Sequence, residues 1–108
     1  MEVVFYRTER GGEPVRDWLR ALTKGERRTI GTDIKTVQIS WPLGMPLVRK
    51  LEPGLWEIRS TVDQRIARTL FTVAGNRIVL LHGFVKKSQK TPKSELELAR
   101  KRKTSLEI

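Results

Sequence analysis

Cysteine is absent from the 108-residue chain, and histidine occurs only once, at His82. The absence of cysteine excludes a disulfide framework and thiolate metal sites, and it is typical of proteins from the reducing cytosol. A single histidine excludes the arrangement of ribonucleases that work with a pair of histidines. Aspartate and glutamate, 12 in all, form no cluster that would hold two metal ions for a nuclease reaction. We therefore expect a protein without a metal or other cofactor.

Long apolar runs are also missing. No segment approaches the roughly 20 apolar residues of a membrane span, and the N-terminal residues MEVVFYRTER lack the layout of a signal peptide. We therefore expect a cytoplasmic protein that makes no membrane contact. The apolar fraction of 38% is enough for one modest core, and the length predicts a single domain over residues 1–108.

Acidic residues are fewer than basic ones. The 12 acidic residues face 22 lysines and arginines, which gives a net charge of +10. A small domain with this charge attracts polyanions over about one Debye length, which is ~8 Å at physiological salt. Nucleic acid is therefore the leading class of partner. The alternative is a basic surface that serves only solubility.

The first half of the sequence predicts one strand and two helices. A β-rich stretch runs from Glu2 to Arg7, and Gly11-Gly12 ends it. A helix then begins at Pro14, and a second helix runs from about Glu26 to Ser40. Both have apolar residues at helical spacing, which are Val15, Trp18, Leu19 and Leu22 in the first helix and Ile30, Ile34, Val37 and Trp41 in the second. The two tryptophans are therefore predicted to belong to the core rather than to a surface for base stacking.

In the second half the apolar period changes to two, which predicts strands. Four strands follow one another with short connections, over residues 47–52, 55–60, 65–73 and 77–86. Successive strands joined in this way form an antiparallel meander. Thr91 and Pro92 then predict an N-cap and a first helical residue, with the helix continuing to about Lys103. The order βααββββα predicts an α+β domain whose helices pack on one face of an antiparallel sheet.

Alternation along two of these strands places Glu57, Arg59 and Arg68 on one face of the sheet. Because the burial of an unpaired charge is strongly unfavourable, we expect this face to be open to solvent. The next strand adds His82 and then Lys86-Lys87, which predicts a groove with several cations and one carboxylate. Two simpler interpretations stay open: Glu57 only pairs with an arginine across strands, and His82 is only a hydrogen-bonded strand residue.

Such a groove suits the cleavage of RNA by attack of a 2′-hydroxyl on the neighbouring phosphate. The reaction requires a base, cations on the non-bridging phosphate oxygens and a donor for the leaving 5′-oxygen. The planar guanidinium of arginine fits a phosphate, and a lysine crowded by other cations can act as a base or an acid. Composition and pattern alone predict a basic α+β domain that binds RNA.

A family resemblance extends this interpretation. The segments LWEIR (55–59), ARTLF (67–71), IVLLHGFVKKSQKTP (78–92) and ELELARKR (95–102) resemble the HigB-like branch of the RelE/ParE toxin superfamily, which is associated with phages and plasmids. The resemblance extends over nearly the whole chain, and HGFVKKSQKTP is its most specific part. It implies a small α+β toxin that cleaves messenger RNA in the ribosomal A site without a metal. It also implies neutralisation by a cognate antitoxin, commonly a helix-turn-helix protein.

The resemblance assigns roles to particular residues. It gives catalytic or substrate-holding roles to Arg59, Arg68 and the pair Lys86-Lys87, with Arg68 as the clamp on the scissile phosphate. Many relatives have a tyrosine near the C-terminus as acid or base, but this chain ends KRKTSLEI and has only Tyr6. The lysines and His82 are therefore the candidates for the general acid. Apart from the resemblance, we predict RNA contacts for Glu57, Lys90, Lys93 and Arg100 as parts of the groove and its basic rim, although Lys90 and Lys93 are also explained as solvated charges at the start of a helix.

Two other functions remain open on the sequence. One is a ParE-like toxin that inhibits DNA gyrase by binding and has no nuclease activity. Toxins of that branch generally lack the basic groove, so the cations at Arg59, Arg68 and Lys86-Lys87 favour the nuclease. The other is an RNA-binding module without activity, which the missing C-terminal tyrosine keeps open.

Overall fold

The computed structural model describes residues 1–106, and its elements confirm the α+β order that the sequence predicts. In chain order they are β1 (Glu2–Phe5), α1 (Pro14–Ala21), α2 (Lys24–Ser40), β2 (Val48–Glu52), β3 (Leu55–Val62), β4 (Arg65–Ala74), β5 (Arg77–Lys86) and α3 (Lys93–Ser105). The predicted strands and helices are all present, with boundaries that shift by at most two residues.

The five strands form one sheet in the order β1-β5-β4-β3-β2. Strands β2 to β5 are the predicted antiparallel meander. Strand β1 instead pairs parallel to β5, with Glu2 opposite Arg77 and Phe5 opposite Leu80. The sheet is therefore mixed, because the helical hairpin that follows β1 returns the chain to the far edge and leaves β1 beside the last strand.

Helices α1 and α2 cover one face of the sheet and enclose the larger core. The apolar stripes predicted for the two helices face this core, where Val15, Ile30 and Val37 are fully buried. Trp41 packs edge-on against Trp56 and Phe71, with ring centroids 5.0 and 5.3 Å away. Both helical tryptophans, Trp18 and Trp41, pack against the core, as the sequence predicts.

The start of α2 is fixed by a capping box. The Thr23 side chain accepts a hydrogen bond from the Glu26 backbone, and the Glu26 side chain accepts one from the Thr23 backbone. These hydrogen bonds to Thr23 lower the pKa of Glu26, and Arg65 adds to the effect. The predicted start at Glu26 is therefore two residues late, because Thr23 is the N-cap.

Helix α3 lies on the opposite face of the sheet, so the expectation that all helices share one face is wrong. Its residues Leu96 and Ala99 pack against Leu55, Leu70 and Leu81, which form a second core. A strand face with this much apolar surface requires a cover. The helix also starts later than expected, with Pro92 as its N-cap and no side-chain capping bond.

In residues 1–106 we find no helix with the length and apolarity that a bilayer crossing requires.

Gly83 in β5 provides a sharp test of the packing between α1 and the sheet. A Cβ at this position would overlap the six-membered ring of Trp18, whereas a Cβ at the helical Gly31 would meet no other atom within 4 Å. We expect Gly83→Ala to destabilise the protein by about 1–3 kcal/mol through overpacking. The matched change Gly31→Ala should stabilise it by about 0.5–1 kcal/mol, because glycine weakens a helix interior. Urea unfolding of both variants measures the difference, and equal effects would contradict the close contact of Trp18 with β5.

Candidate functional site

The centre of the candidate site is a buried carboxylate with two arginines. Glu57 on β3 and Arg68 on β4 are both fully buried, and Arg59 is nearly so. Glu57 Oε2 accepts a hydrogen bond of 2.9 Å from Arg59 Nη1, and Glu57 Oε1 lies 3.9 Å from Arg68 Nε. Alternation correctly places all three on one face of the sheet. The expectation that this face is open is wrong, because α3 and the segment before it cover the face.

Arg68 is an incompletely paired buried cation. Its Nη2 donates to the backbone oxygen of Ser88, and its guanidinium lies 6.0 Å from the ring centroid of Phe84. Within the described part of the chain, Arg68 Nε and Nη1 have no hydrogen-bond partner. Burial lowers the pKa of Arg68, Glu57 opposes that effect, and the nearby Arg59 and Arg49 lower the pKa further. The pKa of Arg68 is therefore lowered mainly because burial removes the water that would solvate the cation.

The cover over this cluster is the polar connection between β5 and α3, residues 87–92. Thr91 Oγ1 donates a hydrogen bond of 2.8 Å to Glu57 Oε1, which explains why Thr91 does not cap α3. Gln89 accepts two further bonds, from Arg59 Nη2 to its side chain at 3.2 Å and from Arg49 Nη1 to its backbone oxygen at 3.3 Å. The connection therefore contacts every charged member of the cluster.

Arg49 is a member of the site that sequence analysis missed. It lies on β2, directly opposite Glu57 on β3 in the antiparallel register. A residue opposite Glu57 shares its face of the sheet, so the pairing of the two strands would have revealed Arg49. Alternation predicts the faces of β3 and β4 but not the pairing of β2 with β3, so it does not reveal Arg49.

His82 lies apart from the arginine cluster, under α3. Its Nε2 is 2.9 Å from Glu95 Oε1, its Nδ1 is 3.4 Å from Arg102 Nη1, and its ring stacks on Phe84 at 5.6 Å. Arg102 Nη1 also donates to the Leu81 backbone oxygen at 2.8 Å. These contacts agree with the simpler interpretation, in which His82 is a hydrogen-bonded strand residue. They also join α3 to β5. A catalytic role for His82 stays a prediction.

The predicted lysines are exposed around the rim of the cover. Lys86 ends β5, Lys87 and Lys90 lie in the connection, and Lys93 begins α3, where it pairs weakly with Glu97 at 3.8 Å. Lys90 and Lys93 line an open cavity of about 550 Å³ together with Arg100.

Arg100 is more strongly engaged than the lysines. It donates to Glu52 at 2.7–2.8 Å, which raises its pKa and ties α3 to β2. Arg100 therefore attaches α3 to the sheet, and its contact with RNA stays a prediction.

The arrangement is suited to binding a phosphate group. Arg49, Arg59 and Arg68 are guanidiniums that converge on one place, and arginine binds phosphate oxygens through paired N–H groups. In residues 1–106 no three histidine or acidic side chains come together as ligands for a metal ion.

The family of the chain agrees with the fold. The profile of the family described as phage-derived protein Gp49-like (DUF891) matches residues 17–104. The chain belongs to this family. Gp49-like proteins are a RelE/toxin-like family, which is the broader part of the resemblance seen in the motifs. The match includes all three arginines of the cluster and all of α3 except its last residue. A comparison with curated proteins gives no match.

The burial of Arg68 changes the expected outcome of its mutation. Arg68→Met removes a cation with two unpaired N–H donors and keeps most of the side-chain volume, while Glu57 retains Arg59 and Thr91 as partners. We therefore expect Arg68→Met to stabilise the protein by about 1–2 kcal/mol. Glu57→Gln should destabilise it by about 3–5 kcal/mol, because the arginines lose their buried counter-charge. Chemical denaturation measures both, and a large loss of stability in Arg68→Met would mean that Arg68 is mainly a structural ion-pair partner.

Proposed function

We propose that this Gp49-like protein is the toxin of a type II toxin–antitoxin system and inhibits translation as an endoribonuclease that cleaves messenger RNA in the ribosomal A site. The observation that carries the proposal is the buried, incompletely paired Arg68 beside Arg59, beneath a connection whose lysines are exposed. Membership of a RelE/toxin-like family supports it. The net charge of +10 favours association with RNA.

In the proposed reaction, the arginines bind the scissile phosphate. Arg68 and Arg59 hold the non-bridging oxygens, and they stabilise the negative charge that develops as the 2′-hydroxyl attacks. Glu57 fixes the orientation of both guanidiniums through its buried carboxylate. The exposed Lys86 and Lys87 add positive charge at the rim, where the RNA strand approaches. These lysines and His82 are the candidates for the base that takes the proton of the 2′-hydroxyl and for the acid that protonates the leaving 5′-oxygen.

The proposed antitoxin is a helix-turn-helix protein encoded beside the toxin. A small open reading frame of that kind, adjacent to this one, would support the assignment. An antitoxin that neutralises the toxin has to deny RNA the basic surface, and an acidic segment over Lys90, Lys93 and Arg100 would do so by charge complementarity.

Induced expression tests the activity directly. We expect synthesis of the wild-type protein to stop translation and primer extension to map cuts inside translated messages. Intact messages with gyrase-linked DNA breaks would instead indicate a ParE-like inhibitor and would overturn the proposal.

Substitutions of Arg68 test its role without the ambiguity of unfolding. Arg68→Met should remain folded and slow cleavage by ~10²–10³-fold or more, because one preorganised cation is lost from the developing charge. Arg68→Lys should restore activity only in part, since an ammonium cannot make a two-pronged contact. Arg65→Ala is the matched control, because Arg65 lies on the other face of β4 and pairs with Glu26 at 2.6 Å. Equal losses at both positions in a reconstituted translation assay would mean that only bulk charge matters.

A further inference from the structure

Three arginines from three different strands each donate a hydrogen bond to Ser88 or Gln89. Arg68 Nη2 donates to the backbone oxygen of Ser88, and Arg49 Nη1 donates to that of Gln89. Arg59 Nη2 donates to the side-chain oxygen of Gln89. These acceptors are neutral carbonyl and amide oxygens, and they are grouped at the place where the guanidiniums converge.

The charge at this place is unbalanced. Three guanidiniums face one carboxylate, that of Glu57, and the remaining acceptors carry no charge. Arg68 is fully buried, and its Nε and Nη1 have no hydrogen-bond partner in residues 1–106. A buried cation is stable only when its charge and its donors are satisfied. A tetrahedral anion with several oxygens would satisfy both better than Ser88 and Gln89 do.

We infer that Ser88-Gln89 is an internal substitute for a phosphodiester, which occupies the phosphate site of Arg49, Arg59 and Arg68 until RNA displaces it. The inference rests on the proposed function in taking RNA as the ligand. It adds Arg49 as a third phosphate-binding arginine. It also makes residues 87–91 of the connection an autoinhibitory latch.

The composition of the latch allows it to open without disturbing either core. Residues 87–90 are Lys, Ser, Gln and Lys, and all four are exposed. None has an apolar side chain that would be pulled from a core. Opening therefore exchanges the hydrogen bonds to the arginines and the bond from Thr91 to Glu57 for contacts with the incoming anion. Lys87 and Lys90 move with the latch and stay available to attract that anion.

A closed resting state lowers the apparent affinity for RNA. The observed dissociation constant is the intrinsic one divided by the fraction of molecules that are open. A change that weakens the latch without touching the arginines must therefore strengthen RNA binding. A residue that simply contacts RNA behaves in the opposite way.

A substitution of Gln89 distinguishes a residue that holds the latch closed from a residue that contacts RNA. Gln89→Ala removes the side-chain acceptor of Arg59 and keeps the backbone. We expect it to tighten binding of a fluorescein-labelled RNA oligonucleotide with uncleavable 2′-O-methyl groups by about tenfold, as loss of one charge-assisted hydrogen bond implies. Gln64→Ala is the matched control, because Gln64 is an exposed residue of the β3–β4 turn. It should leave the affinity unchanged in the same fluorescence anisotropy titration.

The converse change strengthens the latch. Gln89→Glu places a carboxylate against Arg59, and we expect it to weaken RNA binding by about tenfold. Gln64→Glu makes the same change in net charge away from the site, so it measures the general electrostatic effect. NMR relaxation supplies a second readout: addition of the oligonucleotide should lower the order parameters of the backbone amides of residues 87–91 in the wild type, because the released latch becomes mobile.

Three results would overturn the inference. Weaker RNA binding by Gln89→Ala would mean that Gln89 contacts RNA directly. Equal effects of the changes at Gln89 and Gln64 would mean that the latch does not occupy the phosphate site. Unchanged or raised order parameters of residues 87–91 on addition of RNA, including the case in which no RNA binds, would mean that RNA does not displace the latch. None of these readouts requires cleavage, so the two proposals can fail separately. If messages stay intact but Gln89→Ala binds RNA more tightly and Gln89→Glu more weakly than the wild type, the proposed function is refuted and the latch is retained.

Discussion

The buried carboxylate of Glu57 is the contact on which the arrangement of this protein depends. It accepts from Arg59 on its own strand and from Thr91 ahead of α3, and it is the counter-charge of Arg68 on the next strand. One side chain thereby joins the meander to the segment that covers it. A carboxylate has about four lone-pair positions and so can serve several donors at once, which no neutral side chain of similar size does with equal strength. The site and its cover are consequently parts of one hydrogen-bonded unit.

The cover is held from two sides by different physical means. Helix α3 is fixed by burial of Ala99, by the bond from Arg100 to Glu52, and by the contacts of Arg102 and His82 at the sheet. The latch is fixed only by polar contacts. Apolar burial is insensitive to a charged ligand, whereas hydrogen bonds to guanidiniums compete directly with a phosphate. The cover is thus attached firmly through α3 and by replaceable contacts through the latch.

The sequence was sufficient to predict the order of elements, because the apolar period changes from helical to alternating at a clear point and glycine and proline mark most turns. It also placed Glu57, Arg59 and Arg68 on one face. The exposure of that face was mispredicted because an arginine was treated as incompatible with burial. Leu55 and Leu70, on the same face, indicated a cover, and the few apolar residues of α3 were too sparse to show that it would be the cover. The contacts of residues 88–91 could not be predicted, since they depend on how a polar connection returns over the sheet. The position of Arg49 opposite Glu57 depends on the register between β2 and β3, which alternation within one strand does not predict.

The parallel pairing of β1 with β5 sets the order in which the protein can be assembled. Residues 2–5 find their partners only at residues 77–80, and the connection that completes the arginine cluster follows still later in the chain. Contacts between such distant segments form slowly, because a long loop has to close before they contribute. During synthesis, the N-terminal strand therefore leaves the ribosome long before its neighbour exists, and the sheet is completed only when most of the chain has emerged. A nascent chain of this protein consequently lacks the assembled arginine cluster for most of its time on the ribosome.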